Sequence, residues 1–380
     1  MTPSLETRVA GIRLETCVYN ASGPRTGSSA ALAKITASES GAVLAKSATI
    51  KPQTGNPQPR TWHDTDTNGA SLNSEGLPNS GIDYYLDEKT IEQAMGSSTK
   101  PYMVSISGST LEDNLIMLKQ ILDSPQRIAA IELNLACPNV IGKPIIGYDF
   151  DQMQSVLEAV SKVKNITKIP LGVKMPPYFD GPHFQQAANI LNKYSHIVKY
   201  VVSINTIGNA LAVDAVSEAP VIAAKGGFAG LSGRAIKYTA LSNVRQMRTL
   251  LNDKIDVVGV GGIETGTDAF EMILCGAHAV QVGTCHWKEG PQCFDRICAE
   301  LRDIMASKRY NSIEEFRGKL KPWSKEGAAL SRAARKRDES SDTKTTAGKS
   351  SGDPYMMISA IFAMLVAILL ADKFGLVTIG

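Results

Sequence analysis

The chain has 380 residues, with 40 Lys and Arg against 37 Asp and Glu and a formal net charge of +3. That balance excludes a strongly basic or acidic body, so no nucleic-acid partner is expected. The length suits either one large α/β barrel or two domains of ordinary size, and 43% apolar residues suffice for a large core.

The first residues carry neither an apolar signal core nor an Arg-rich amphipathic leader, and Thr7 to Tyr19 alternates like a hairpin with Ala10-Gly11 at its turn. Eight short apolar runs recur along the chain: Val18–Ala21, Val43–Lys46, Tyr102–Ile106, Ala130–Leu135, Leu171–Met175, Tyr200–Asn205, Asp256–Val260 and Ala279–Gly283. Continuous Val, Ile and Leu runs of this kind fit parallel strands covered on both faces. Amphipathic stretches such as Asp151–Val163 and Phe184–Tyr194 lie between them. Eight alternating units in about 300 residues predict an α/β fold of the TIM (β/α)8 barrel type. A doubly wound sheet is the alternative, but no GxGxxG follows an early strand. Two intervals, Ser47 to Pro101 and Thr206 to Lys254, are too long for simple crossovers. Each starts where a barrel builds its active site and is rich in Gly, Asn, Ser and Pro, which predicts long active-site loop insertions.

The character changes after Trp323. Residues 324–354 are polar, with seven basic and five acidic side chains, and predict a disordered linker. Residues 355–371 then carry no charge and one serine, and a short end at 372–380 follows. A span of about 17 residues is the lower limit for crossing a bilayer. A core helix docked on the barrel is the competing reading, but a helix apolar on every face behind a floppy linker would stay mostly wet. The segment is therefore expected as a C-terminal membrane anchor. Arg332, Arg335, Lys336 and Arg337 would keep residues 1–323, read as one catalytic barrel, on the cytoplasmic side.

Cysteines at 17, 137, 275, 285, 293 and 298 show no CxxC and no metal-ligand spacing, and the five histidines are scattered. No metal is expected, and a reducing compartment is the simpler inference. Cys293 and Cys298 lie five apart on an expected helix, which suits packing.

Glu132-Leu133-Asn134-Leu135-Ala136-Cys137-Pro138-Asn139 places one thiol between two asparagines just past an apolar strand. On this segment alone, a packing cysteine beside a turn proline and a catalytic thiol fit equally well. Further signals come from other strands. Val257-Val258-Gly259-Val260-Gly261-Gly262 and Val280-Gln281-Val282-Gly283-Thr284 are strands running into glycine loops. At the seventh and eighth strands of a barrel such loops commonly hold a phosphate, so a phosphorylated cofactor such as FMN fits. A nucleoside triphosphate does not, because no Walker lysine follows. Lys46 and Lys174 each close a buried strand, where a cation needs an anion unless it snorkels to the rim. Asn20, Asn73, Asn79, Asn134, Asn139, Asn205 and Asn209 lie near strand ends or in the insertions. Converging amides suit a ligand with alternating C=O and N–H groups such as a pyrimidine, although any one of them alone fits a turn.

Taken in order, Asn20-Ala21-Ser22-Gly23-Pro24, Lys46-Ser47, Asn73-Ser74-Glu75-Gly76-Leu77-Pro78-Asn79, the Cys137 segment, Val173-Lys174-Met175-Pro176-Pro177, Asn205-Thr206-Ile207-Gly208-Asn209 and the two late glycine loops resemble class 1A dihydroorotate dehydrogenase. The resemblance covers about residues 5–323 and leaves the tail outside. It implies a homodimeric, FMN-dependent enzyme of pyrimidine (UMP) synthesis. In that family a cysteine, here Cys137, removes a proton from C5 of dihydroorotate, hydride passes from C6 to the flavin N5, and fumarate reoxidises the flavin to give succinate.

Residue by residue, the resemblance puts Asn73, Asn134, Asn139, Asn205 and Thr206 on the pyrimidine, Lys46 near its carboxylate, and backbone groups of Gly76 and Leu77 beside it. Ala21, Ser22, Lys46, Ser47, Asn134, Ile204 and Gly233 would line the flavin, with Lys174 at its N1/O2 edge. Gly261, Gly262, Gly283 and Thr284 would meet its phosphate end. A thiol near its ordinary pKa of about 8.5 is a poor base at neutral pH, so Lys46 and the polar cage would have to tune it.

Ala136, Thr206 and Ser232 depart mildly from the family's residues. Glu75 departs more, because methionine is usual there, and its side chain is expected to turn away from an anionic ligand. Three other readings remain. A membrane tether would suit a quinone acceptor. A related flavin barrel could act on another pyrimidine, although the near-neutral body argues against tRNA and the cysteine spacing against iron–sulfur clusters. A membrane-anchored scaffold on an inactive barrel would have no reason to keep Cys137, both lysines and both glycine loops.

Overall fold

The eight apolar runs form one parallel eight-stranded sheet in the computed structural model of the chain, which describes residues 2–64, 69–136 and 145–333. In chain order the strands are Val18–Asn20, Val43–Leu44, Tyr102–Ile106, Ala130–Asn134, Leu171–Met175, Val198–Ser203, Asp256–Val260 and Ala279–Val282. Each of the second to eighth pairs with the next, and the eighth returns to the first through Val280 opposite Val18. Five of the runs overshoot their strands at the C-terminal end by one or two residues. The overshooting residues include Ala21, Lys46, Asn205 and Gly283, which run past the strands and line a cavity.

Successive side chains of a strand point to opposite faces. Here both faces are buried. The inner set, with Tyr19, Leu44, Met103, Tyr200, Val202 and Val258, packs with Val9 and Leu14 of the N-terminal hairpin. That hairpin pairs Thr7–Val9 with Ile12–Leu14 and turns at Ala10 and Gly11, both at positive φ, as a tight two-residue turn demands. It ends at Leu14, earlier than the alternating pattern suggested, and Val18 already belongs to the barrel. The outer set, with Val18, Val43, Ile131, Val173, Val201 and Val280, packs on helices through residues such as Leu118, Leu157, Leu191, Val244 and Leu301. One inner position is a glycine for a visible reason: a Cβ on Gly172 would lie 2.2 Å from the Tyr200 ring.

Helix starts follow their capping residues. Thr110 and Asp113 form a capping box at the head of Leu111–Asp123, and Thr265 and Asp268 form another at Gly266–Leu274. The two expected amphipathic stretches are the helices Phe150–Ser161 and Gly181–Lys193, capped by Asp149 and Asp180. Cys293 and Cys298 are buried on the helix Gln292–Ser307.

The two long insertions are more ordered than loops. Thr61–His63 and Ala70–Asn73 from the first join Ile207–Ala210 and Ala229–Gly233 from the second in a single antiparallel sheet. Gly230 lies opposite Asn73 and Gly233 opposite Ala70. The strands are short and rich in Ser, Gly and Asn, so they carry no apolar alternation that would announce them.

Contacts divide the chain into Met1–Leu320 and Lys321–Gly380. Within the second unit residues 325–333 are helical. The remainder of the expected linker and the apolar segment 355–371 lie outside the described residues. No helix among the described residues is long and apolar enough to cross a membrane.

Among the described residues no ladder joins the first strand to the second. Beyond one backbone bond, from Gly41 N to Val18 O at 2.8 Å, a side chain closes the seam. The Asn20 amide Nδ2 donates to Leu44 O at 2.7 Å, and its Oδ1 accepts from Leu44 N at 3.0 Å, with Asn20 fully buried. An asparagine expected among the ligand amides thus works as a substitute backbone. Asn20→Ala would strand a buried donor and a buried acceptor, so it should destabilise the fold by about 3 kcal/mol, read from urea unfolding. A loss under about 1 kcal/mol would show that the seam closes without it.

Candidate active site

A cavity of about 1070 Å³, counting its open mouth, lies at the C-terminal ends of the barrel strands. Its floor is a polar layer inside an otherwise apolar barrel. Lys174 on the fifth strand, Glu132 on the fourth and Gln281 on the eighth meet there, exposed by 6%, 1% and 0%. Gln281 bridges the two charges: its Oε1 lies 3.4 Å from Lys174 Nζ, and its Nε2 donates to Glu132 Oε2 at 2.7 Å. A further contact runs from Gln281 Nε2 to the Tyr19 hydroxyl at 3.3 Å. Burial pushes the Lys174 ammonium pKa down and the Glu132 carboxyl pKa up, and each is partly held back by the other's charge. Glu132 Oε1 is buried with no hydrogen-bond partner.

One wall carries hydroxyls. Ser22 Oγ lies 3.0 Å from Ser47 Oγ and accepts from Ser47 N at 2.6 Å, and Ser47 Oγ reaches Ser105 Oγ at 2.9 Å. Ala21 and Lys46 stand beside them, with Lys46 only 7% exposed. The opposite wall carries amides. Asn205 Nδ2 donates to Ala136 O at 2.6 Å and lies 3.4 Å from Asn134 Oδ1, which itself accepts from Ala136 N at 3.0 Å. The residue preceding Cys137 is therefore gripped from both sides. Thr206 Oγ1 lines this wall, buried and without a hydrogen-bond partner. Asn73 and Leu77 enter from the first insertion.

The far end is built from backbone. Gly261, Gly262 and Gly233 all have positive φ, and Gly283 and Thr284 face them from the eighth strand. Gly262 could not be replaced, since a Cβ would lie 2.6 Å from that of Lys237. At Gly283 a Cβ would meet only Ala21 at 3.7 Å, so this side is open to the cavity. Bare N–H groups at one end, a cation in the floor and an orphaned hydroxyl on the wall fit a flavin phosphate and its ring system.

The cavity thus gathers Ala21, Ser22, Lys46, Ser47, Asn73, Leu77, Asn134, Lys174, Ile204, Asn205, Thr206, Gly233, Gly261, Gly262, Gly283 and Thr284, all expected from sequence. Cys137 and Asn139 lie outside the described residues. Gly76 does not line the cavity; at φ +69 it backs onto Asn56, whose Oδ1 a Cβ would approach to 2.5 Å. Three amides also turn out to lie elsewhere: Asn20 closes the seam, Asn79 holds Thr49 and Gly81 in its own loop, and Asn209 is exposed at φ +67 where the register of the strand Ile207–Ala210 shifts. Glu75 does line the cavity, and its carboxylate is turned onto Arg60 at 3.2 Å. Gln281 and Trp287 were not foreseen as lining residues. A lone glutamine inside Val280–Val282 was a usable signal, because a buried strand seldom carries an amide without a task. Trp287 gave none; it meets His63 edge-on at 4.2 Å between ring centres.

The family model described as dihydroorotate dehydrogenase matches residues 4–305. The chain is 46% identical over 317 residues to dihydroorotate dehydrogenase A (fumarate) of Lactococcus lactis subsp. lactis, covering 83% of this chain and 99% of that protein. It is 46% identical over 321 residues to dihydroorotate dehydrogenase (fumarate) of Kluyveromyces lactis, covering 84% and 99%. Among solved structures, the dihydroorotate dehydrogenase of Eimeria tenella in complex with ferulenol superposes with a TM-score of 0.67 at 22% identity, covering 83% of this chain and 88% of that one, a likeness of fold.

Removing one member of the buried floor leaves the others uncompensated. Glu132→Ala should cost about 3 kcal/mol or more in urea unfolding, whereas Glu132→Gln, which keeps a polar partner for Gln281, should cost clearly less. Equal losses would mean that the negative charge opposite Lys174, rather than the hydrogen bond to Gln281, is what the floor requires.

Proposed function

The chain belongs to the dihydroorotate dehydrogenase family, and we propose that its barrel oxidises dihydroorotate to orotate in pyrimidine (UMP) biosynthesis, with fumarate as the second substrate. The observation that carries this reading is the single cavity that sets amides, a nearly buried lysine, a cationic floor and a glycine cradle against one another.

FMN, when bound, supplies the hydride acceptor. The chain's own groups do the rest. Cys137 takes the proton from C5. Asn205 and Asn134, by holding Ala136, fix where the chain enters the Cys137 segment. Asn73, Asn134, Asn139, Asn205 and Thr206 read the pyrimidine edge, with backbone groups of Leu77 beside it. Gly76 sets the turn that presents Leu77. Lys46 meets the substrate carboxylate and favours the thiolate of Cys137. Lys174 stabilises negative charge at the electron-rich edge of the flavin, and its burial strengthens that interaction. Dihydroorotate and fumarate use one site in turn, so the kinetics are ping-pong.

The tail is a membrane anchor in this reading, with the barrel held on the cytoplasmic side; seventeen uncharged residues at 355–371 and the basic cluster before them support it. The catalytic unit works as a homodimer. The exposure of Leu211, Val213, Val216 and Phe228 on the second insertion supports a contact with a second copy there.

Anaerobic dihydroorotate should bleach the flavin of the purified protein, and fumarate should restore its colour. No bleaching would sink the reading, and reoxidation by a quinone alone would move the acceptor into the membrane. Cys137→Ala should retain FMN and lose turnover by roughly a hundredfold or more, the range for a general base. Normal turnover would remove Cys137 from the mechanism. Deleting residues 354–380 should shift the protein from the membrane to the soluble fraction without changing bleaching, and unchanged fractionation would refute the anchor.

A further inference from the structure

Glu75 puts a carboxylate on the wall of the cavity that the proposed function fills with anions. Its side chain is only 10% exposed, so water does little to screen it. The structure answers with Arg60. The guanidinium Nε lies 3.2 Å from Glu75 Oε2, with 20% of the Arg60 side chain exposed. Arg60 itself is not part of the cavity lining. It stands behind the wall, and its Nη1 donates to Thr54 O at 2.7 Å and to Asn56 O at 3.3 Å.

The two segments are also tied through their backbones. Asn56 N donates to Glu75 O at 2.9 Å, and Ser74 N donates to Arg60 O at 2.8 Å. Asn56 Nδ2 adds a bond to Ser74 O at 2.8 Å. The mesh holds the two backbones side by side, and the Arg60 side chain is fixed in addition by its bonds to Thr54 O and Asn56 O. The other cations that line the cavity are Lys46, just past the second barrel strand, and Lys174 in the floor on the fifth.

We propose that Arg60 is a specificity-determining residue of this chain: it neutralises Glu75 from behind the wall and so lets a carboxylate-bearing cavity accept anionic ligands. The proposal rests on the reading of the cavity as a site for dihydroorotate and fumarate. Arg60 acts through Glu75, which makes it a positioning residue with a charge-dependent signature. Coulomb repulsion scales with ligand charge, so the dianion fumarate depends on Arg60 more than the monoanion orotate does.

The test uses the full-length FMN-loaded protein and four variants: R60Q, E75Q, R60Q/E75Q and R60K. Orotate dissociation constants come from the flavin absorbance change, and fumarate KM from reoxidation. R60Q should weaken orotate about tenfold and raise the fumarate KM by a larger factor. E75Q, with Arg60 now unopposed, should tighten orotate. The double variant should return to within about threefold of wild type, and R60K, which keeps the charge, should stay close to wild type. A double variant as weak as R60Q would overturn the proposal, since Arg60 would then act independently of Glu75. So would R60K as weak as R60Q, or R60Q indistinguishable from wild type. Wild-type bleaching by dihydroorotate separates the two levels: without it the functional reading fails, and with it these outcomes bear on Arg60 alone.

Discussion

A buried ammonium group in the middle of a barrel is the constraint on which the rest depends. Lys174 leaves water almost completely, and a desolvated cation persists only with partners placed for it. Glu132 and Gln281 are those partners, and they come from different strands. Their meeting needs the barrel ladders to be in register, and Asn134 opposite Lys174 and Val260 opposite Gln281 record that register. Below this layer Tyr19, Tyr200 and Met103 fill the barrel with apolar bulk. Above it the interior opens into the cavity. The polar layer is therefore the boundary between the part of the barrel that is packed for stability and the part left free for a ligand.

The cavity walls divide their work in the same spirit. Barrel strand ends supply the hydroxyls, the lysines and the amides that grip Ala136. The insertions supply another side, through Asn73, Leu77 and the paired Glu75. Other polar groups near the site are engaged elsewhere. Asn20 and Asn79 use both ends of their amides to stand in for missing backbone partners, which is why neither is available to a ligand.

Sequence periodicity located the barrel because its strands are buried on both faces and need continuous Val, Ile and Leu. The cavity-lining lysines were legible for the opposite reason, since Lys46 and Lys174 break those runs at their ends. The capping sheet was not legible. Strands such as Ala70–Asn73 and Ala229–Gly233 owe their conformation to each other rather than to local preference. Partnerships between distant residues were hidden in the same way. Nothing in the composition of residues 53–60 indicates that Arg60 will stand behind Glu75, and nothing around Asn20 indicates a seam. An asparagine reads alike whether its partner is a pyrimidine or a neighbouring strand.

The cap carries a consequence for how the molecule comes to exist. Asn73 and Gly230 meet across 157 residues of chain, so their sheet is among the most non-local pairings in the molecule. Contacts of high sequence separation pay their loop-closure entropy late. On a ribosome, the strand Ala229–Gly233 emerges only after six of the eight barrel strands have been made. The two halves of the cap therefore cannot meet until only the last two barrel strands remain to be made, and the closure of the eighth strand on the first comes later still. Competence to bind is a report that the chain has been built almost to completion.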